Sequence, residues 1–94
     1  MRCLTAGRRR RSKLLEFVWL NNTAGHARMG LIVPRFQSSA VARNRLRRRL
    51  SEIWRREIQG RQGDRDLIIR ARKDAYSATF DELHAELVAW VTAL

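Results

Sequence analysis

Three short stretches rich in branched and aromatic residues predict β-strands, because such side chains favour an extended backbone. The stretches are Leu14–Leu20, Ala27–Val33 and Asp66–Arg72. Side chains alternate between the two faces of a strand, so Leu15, Phe17 and Trp19 share one face of the first strand. The turn-forming residues of Asn21–Gly25 separate the first two strands, which predicts that these two strands pair as a hairpin.

Two longer segments place apolar residues at every third or fourth position, which predicts amphipathic helices. The first helix covers Ser39–Arg56, and the second begins after Thr79, which fits a capping box with Glu82. The apolar stripes are Ala42, Leu46, Leu50, Ile53 and Trp54 in the first helix, and Phe80, Leu83, Leu87, Val91 and Leu94 in the second. The predicted order is β-β-α-β-α, an α+β fold in which helices pack on a small sheet.

The side of the first helix opposite its apolar stripe carries charge of almost one sign. Residues 39–56 hold seven arginines and a single acid, Glu52. A solvated surface helix normally mixes both signs, because like charges on neighbouring turns repel. Arginine presents a planar set of donors suited to phosphate, and the amide of Asn44 can bond a base edge or a 2′-hydroxyl. The pattern therefore predicts a helix that binds nucleic acid.

The overall charge also indicates a polyanionic partner. The formal net charge is +11 over 94 residues, and all 20 lysines and arginines lie within residues 1–73. A surplus of this size is typical of nucleic-acid-binding domains. The run Arg8–Arg11 predicts that residues 1–13 form a basic arm, either solvated or in contact with phosphate, ahead of a single domain over residues 14–94.

The sequence does not indicate side-chain catalysis or metal binding. His26 and His84 have no cysteine or carboxylate at ligand spacing, and Cys3 is the only cysteine. Asp64 and Asp66 are interpreted as loop residues rather than as a two-metal site. No apolar run could span a bilayer or form a secretory signal, so we expect a cytoplasmic protein whose chemistry comes from a partner.

The segment Ala40–Glu52, with the sequence AVARNRLRRRLSE, resembles the arginine-asparagine-arginine signature of the bacterial ribonuclease P protein family. The resemblance extends to both sides of this segment. Met29–Arg35 resembles the strand before the signature, Asp66–Arg72 resembles the next strand, and Phe80–Leu83 resembles the start of the final helix.

The resemblance implies an α-β sandwich with a left-handed β-α-β crossover, against the general right-handed rule. It also implies the protein component of an endoribonuclease that removes the 5′ leader of precursor tRNA. In that family a large catalytic RNA supplies the active site and binds most of the Mg²⁺, so no catalytic or metal-binding side chain is expected on this chain. The implied partners are the catalytic RNA and precursor tRNA, with no membrane and no required protein partner.

The resemblance also implies which residues contact RNA. Arg43, Asn44, Arg45, Arg47 and Arg48 would contact the catalytic RNA, and Arg49 and Arg55 extend the same charged side of the helix. The family holds the single-stranded leader in a cleft floored by the sheet, for which the candidates are Phe17, Trp19, Arg35, Phe36 and Arg70. Their aromatic rings could stack on unpaired bases, with ordinary core packing as the alternative.

One departure from the family pattern concerns the N-terminus. The family usually begins with a further helix whose phenylalanines line one wall of the leader cleft. Here only residues 1–13 precede the first predicted strand, which indicates either a short form or a start upstream of Met1.

Two other functions share the basic composition. A non-enzymatic RNA-binding module, such as a ribosomal or RNA-chaperone protein, needs a similar charged face. A DNA-binding domain could place the arginine-rich helix in a major groove, but it requires a partner helix just before Ser39, where the sequence predicts a strand.

Overall fold

The computed structural model describes residues 7–21, 25, 27–36 and 39–93. Its strands are β1 (Arg8–Arg11), β2 (Leu15–Asn21), β3 (Arg28–Ile32) and β4 (Arg65–Ala71), and its α-helices are α1 (Ala40–Ile53), α2 (Gln59–Gln62) and α3 (Phe80–Thr92). A π-helical segment, Trp54–Ile58, joins α1 to α2, and a 3₁₀ turn, Lys73–Ser77, precedes α3. The predicted α+β class, a sheet with helices packed on it, is confirmed.

The four strands form one sheet in the order β1-β2-β4-β3. Strand β4 pairs antiparallel with β2 and parallel with β3, so the predicted hairpin between the first two apolar strands is wrong. The reason lies in burial: Leu67, Ile68 and Ile69 of β4 are at most 5% exposed on either face. A strand that is apolar on both faces belongs in the middle of a sheet, whereas every residue of β3 is at least partly exposed.

The run Arg8–Arg11 is an edge strand and not a solvated arm. It pairs antiparallel with β2, with Arg8 opposite Trp19 and Arg11 opposite Glu16. All four arginines are exposed, and the carboxylate of Glu16 lies 3.7 Å from Arg9 and 3.2 Å from Arg11. Backbone pairing needs no apolar side chains, and charged residues are common on edge strands. Residues 8–11 therefore belong to the sheet, and residues 1–6 of the expected arm lie outside the described part.

Both long helices, α1 and α3, cover the same face of the sheet, and the main core lies between them and the sheet. The side chains of Leu15 and Phe17 point into this core, as the alternation predicts. Phe17 stacks on Trp90 of α3, with the ring centroids 5.4 Å apart, and Trp19 meets Trp90 edge-on. We call this the helix-bearing face, and the opposite side of the sheet, which includes Val18, the open face.

The arginine-rich helix does not end at Arg56, as the sequence predicts, but continues to Gln62. Ile53 and Ile58 are both fully buried although they are five positions apart. Five positions in an α-helix correspond to a rotation of about 140° from the starting side chain, so Ile58 would face solvent. In the π-helical segment each hydrogen bond spans five residues instead of four, so one extra residue fits into the turn and Ile58 faces the core again. Glu57, the position that α-helical spacing would bury, lies instead beside His84.

Side-chain caps fix the start of both long helices. The hydroxyl of Ser39 accepts the Ala42 N–H at 3.1 Å, as expected for an N-cap. The predicted capping box is present: Thr79 accepts the Glu82 N–H at 3.1 Å, and the Glu82 carboxylate accepts the Thr79 N–H at 2.9 Å. The hydrogen bonds from the backbone and then the side chain of Thr79 lower the pKa of Glu82 below its ordinary value.

A second carboxylate ties α3 to the sheet. Glu86 accepts the Leu14 N–H at 3.1 Å and also bonds the hydroxyl of Ser12, between β1 and β2. The last residue of the predicted apolar stripe, Leu94, lies outside the described residues. Within the described ranges, no helix is long and apolar enough to span a membrane.

Candidate nucleic-acid interface

The outer side of α1 presents a continuous polar surface. Because Leu46, Leu50 and Ile53 are buried against the sheet, the positions between them must point outward. The exposed polar side chains on this side include Asn44, Arg45, Arg47, Arg48 and, beyond the α-helical part, Arg55. We call these five residues the α1 outer surface.

A shallow concavity of about 410 Å³ lies on this surface between Val41, Asn44, Arg47 and Arg48. Val41 is 67% exposed, an unusual position for a branched apolar side chain. Only one acid lies nearby on the helix, Glu52, and it pairs with Arg56 at 3.4 Å. The arginines of the concavity therefore keep their charge available for a partner.

Arg43 and Arg49, which the sequence places with the other RNA-binding candidates, occupy a different position. Both are partly buried. Arg43 Nε donates to the Val33 carbonyl at 2.8 Å, and Arg49 Nη1 donates to the Ala78 carbonyl at 3.4 Å. These bonds fasten α1 to the chain on either side of it, so part of each guanidinium serves the fold.

A second basic concavity, of about 330 Å³, lies at the edge of the open face. It is lined by Arg11, Glu16, Phe36, Arg70, Ala71, Arg72 and Lys73. Phe36 is 41% exposed, has a φ of 47° and meets Tyr76 edge-on at 6.3 Å. A left-handed backbone costs a phenylalanine about 1–2 kcal/mol, a strain that the surrounding contacts must offset.

This open-face concavity brings together two of the predicted leader contacts, Phe36 and Arg70. Arg35 lies beside Phe36 in the chain. Arg11 also joins the concavity, although the sequence alone predicts it only as part of a basic arm. Alternation along Arg8–Arg11 would place it on this face if that run were recognised as a strand.

Two of the predicted leader contacts, Phe17 and Trp19, do not lie at the open-face concavity. Phe17 is 1% exposed and lies beneath Trp90, where no ligand can reach its ring. Trp19 is on the same helix-bearing face and lines a separate cavity with Arg8 and Arg65. Alternation correctly grouped the two rings, but it could not tell which face the helices would cover.

The remaining titratable candidates have structural contacts. His84 stacks on Phe80 and its Nε2 lies 3.8 Å from Glu57, while His26 is outside the described residues. The interpretation of Asp66 as a loop residue is wrong, because Asp66 lies in β4 and accepts two bonds from Arg28, at 2.6 and 2.8 Å. In the described part of the chain, no three His, Cys, Asp or Glu residues are grouped as metal ligands.

Comparison with known proteins shows the family of this chain. The model of the family described as Ribonuclease P matches residues 1–94. The chain belongs to the ribonuclease P family. The ribonuclease P protein component of Thermus scotoductus is 36% identical over 85 residues, which are 90% of this chain and 49% of that protein. The Brucella suis protein component is 40% identical over 73 residues, 76% of this chain and 51% of that protein.

Solved structures of ribonuclease P proteins share the fold. The protein from Thermotoga maritima, in complex with 1-(4-fluorophenyl)-2-thiourea, superposes with a TM-score of 0.88 at 22% identity, over 98% of this chain and 90% of that one. The Staphylococcus aureus protein gives 0.81 at 22% identity, over 98% and 84%. The chain spans about half the length of the curated ribonuclease P relatives that it matches.

Membership of the ribonuclease P family agrees with the position of α1 in the chain. A helix-turn-helix domain would require a helix just before α1, but the preceding element in the described residues is β3, which ends at Ile32. The alternative of a DNA-binding domain is therefore disfavoured by the fold as well as by the family.

Proposed function

We propose that this chain is the protein component of ribonuclease P, which binds the catalytic RNA and the 5′ leader of precursor tRNA and assists 5′ maturation. The proposal rests on family membership together with one observation: the α1 outer surface presents four arginines, while the nearby acid, Glu52, pairs with Arg56. Such a helix is stabilised when phosphates lie opposite it, because they relieve the repulsion between its own charges. The protein would act in the bacterial cytoplasm and would need no protein partner.

The division of labour follows from the chemistry of the surfaces. A surface rich in arginine attracts phosphate and repels a divalent cation, so the residues described do not fit a Mg²⁺ site. Mg²⁺ and the hydrolytic step are accordingly assigned to the RNA. This chain contributes binding, and each phosphate it contacts releases counterions, which makes affinity dependent on salt.

The open-face concavity is the proposed contact for the leader. Among its guanidinium groups, Arg70 is exposed and can bind a phosphate of the strand, whereas Arg11 already contacts Glu16 at 3.2 Å. Nη1 of Arg72 donates to a backbone carbonyl at 2.6 Å, so part of that guanidinium serves the fold. The exposed ring of Phe36 offers a surface on which an unpaired base can stack. Both kinds of contact tolerate any base, as a protein that accepts many different leaders requires.

The test is reconstitution with a catalytic RNA and a precursor tRNA at low Mg²⁺. We expect the protein to stimulate cleavage only when RNA is present. The double variant Arg47→Gln with Arg48→Gln should bind the RNA more weakly, and its plot of log affinity against log salt should flatten by about 0.7–0.9 for each phosphate that is no longer bound. Arg56→Gln is the matched control, because this residue already pairs with Glu52 on the same helix.

Two results would refute the assignment. One is cleavage of precursor tRNA by the purified chain in the absence of RNA. The other is an unchanged salt dependence in the double variant. Co-purification with ribosomal RNA, and not with one structured RNA species, would instead favour the alternative of a non-enzymatic RNA-binding module.

A further inference from the structure

A third cavity lies at the end of the sheet farthest from the open-face concavity. Its volume is about 280 Å³, and it is lined by Arg8, Trp19, Leu20, Asn21, Arg65 and Ala93. Residues directly opposite in antiparallel strands project to the same side of the sheet. Arg8 is opposite Trp19, and Asn21 is opposite Arg65, so all four side chains belong to the helix-bearing face.

The position of this cavity separates it from both surfaces described above. The open-face concavity is lined by side chains of β1 and β2 that project to the opposite side of the sheet, those of Arg11 and Glu16. The α1 outer surface points away from the sheet. The Trp19 cavity instead opens beside the C-terminal end of α3, at Ala93.

The lining residues combine three kinds of recognition. Trp19 is partly exposed, and its edge-on contact with Trp90, at 5.5 Å between centroids, holds its ring in place. Arg8 is exposed and supplies a guanidinium, while the Asn21 amide can both donate and accept. The described residues that line the cavity include no acid, so no carboxylate side chain there repels an anionic ligand.

We propose that this cavity binds one unpaired nucleotide of RNA, with the base against the exposed part of Trp19 and the phosphate at Arg8. A ring held by a second ring presents a stacking surface that need not be ordered on binding. A pocket with this combination of aromatic, cationic and amide groups fits a nucleotide better than an apolar ligand. The inference rests on the proposed function in so far as RNA is the partner, and it adds a contact on a different face.

The test uses the full chain labelled with 5-fluorotryptophan and followed by ¹⁹F NMR. Trp19, Trp54 and Trp90 are the only tryptophans, and the variant Trp19→Phe assigns the Trp19 resonance. A short single-stranded oligouridylate should shift that resonance saturably. An oligomer of the same length without bases should leave it unshifted, because only a base can stack.

Two matched variants examine the phosphate contact. Arg8→Gln should weaken the binding that shifts the Trp19 resonance by about fivefold or more, as expected for one charge-assisted contact. Arg10→Gln is the control, since it changes an exposed arginine on the same strand and face that does not line the cavity. Equal weakening in the two variants, or an equal shift with the base-free oligomer, would overturn the proposal.

Failure of this inference can be distinguished from failure of the proposed function. The double variant Arg47→Gln with Arg48→Gln should lose affinity for the catalytic RNA but keep the oligouridylate-dependent shift of the Trp19 resonance. If the catalytic RNA binds normally to that variant, the proposed function of α1 is wrong. If the Trp19 resonance does not respond to oligouridylate in the wild-type chain, the nucleotide site is wrong.

Discussion

The most informative substitutions compare two arginines that the sequence alone cannot rank. Arg43 and Arg48 lie five positions apart on α1, and both belong to the segment that resembles the family signature. Arg43 is partly buried and its Nε donates to the Val33 carbonyl at 2.8 Å, whereas Arg48 is exposed and lines the concavity of the α1 outer surface. Replacing each with alanine should therefore change different properties.

The magnitudes follow from these environments. Arg43→Ala removes a charge-assisted hydrogen bond and leaves the Val33 carbonyl without that donor, which should lower the free energy of unfolding by about 1–2 kcal/mol. For a domain of this size, such a loss lowers the melting temperature by roughly 5–15 °C. Arg48→Ala changes a side chain that projects into solvent, so its effect on stability should stay within about 0.5 kcal/mol. It should instead weaken RNA binding and flatten the salt dependence by about 0.7–0.9.

Two assays separate the outcomes. Urea unfolding gives the midpoint and slope for each variant, and RNA binding measured over a range of salt reports how many phosphates the protein neutralises. A lower midpoint with an unchanged slope identifies a loss of stability alone. If Arg48→Ala lowers the midpoint as much as Arg43→Ala does, the division between structural and RNA-contacting arginines is refuted.

Three further predictions concern the fold that positions the interface. Ile58→Ala should lower the free energy of unfolding by about 2–5 kcal/mol because Ile58 is fully buried, whereas Glu57→Ala should lower it by less than about 1 kcal/mol. The opposite order in urea unfolding would mean that the helix continues without a π-helical segment. Because the pKa of Glu82 is lowered in the folded state, its ionised carboxylate stabilises the fold above pH 4.5, and this stability is lost as the pH falls through the folded-state pKa. Wild type should therefore lose more stability than Glu82→Gln between about pH 6 and pH 3. Equal losses in acid-unfolding curves would contradict this. Arg28→Ala should cost about 1–3 kcal/mol of unfolding free energy, because it removes the bidentate partner of the Asp66 carboxylate, whose side chain is 7% exposed. A wild-type melting curve would show that the pair contributes nothing to stability.

Local periodicity predicted a large part of this structure. The stripe of Leu46, Leu50 and Ile53 identified the buried side of α1, and the Thr79 and Glu82 pair identified the start of α3. These features depend on residues within one or two turns of each other, so the chain itself displays them. Once the buried side of α1 is known, the remaining positions must be exposed, which is why the α1 outer surface could be predicted.

The features that the sequence could not predict depend on partners distant in the chain. Arg8–Arg11 has no apolar alternation, and its extended form depends on pairing with β2. The position of β4 between β2 and β3 depends on which strand must be buried on both faces. The burial of Ile58 depends on a change of helical period, which a search at a constant 3.6 residues per turn would miss. The burial of Phe17 likewise depends on α3, a segment distant in the chain, so the sequence around Phe17 does not indicate it.

The all-arginine strand β1 has a consequence for the handling of the free protein. Among the described residues it forms one edge of the sheet, and an edge strand offers backbone groups with which another extended chain could pair. Two copies approaching edge to edge would bring the four guanidinium groups of each strand together, and this repulsion opposes self-association. Salt shortens the range of that repulsion from about 10 Å at 0.1 M to about 3 Å at 1 M. Protein stored without a polyanion should accordingly remain dispersed in dilute buffer and aggregate through this edge as the ionic strength rises.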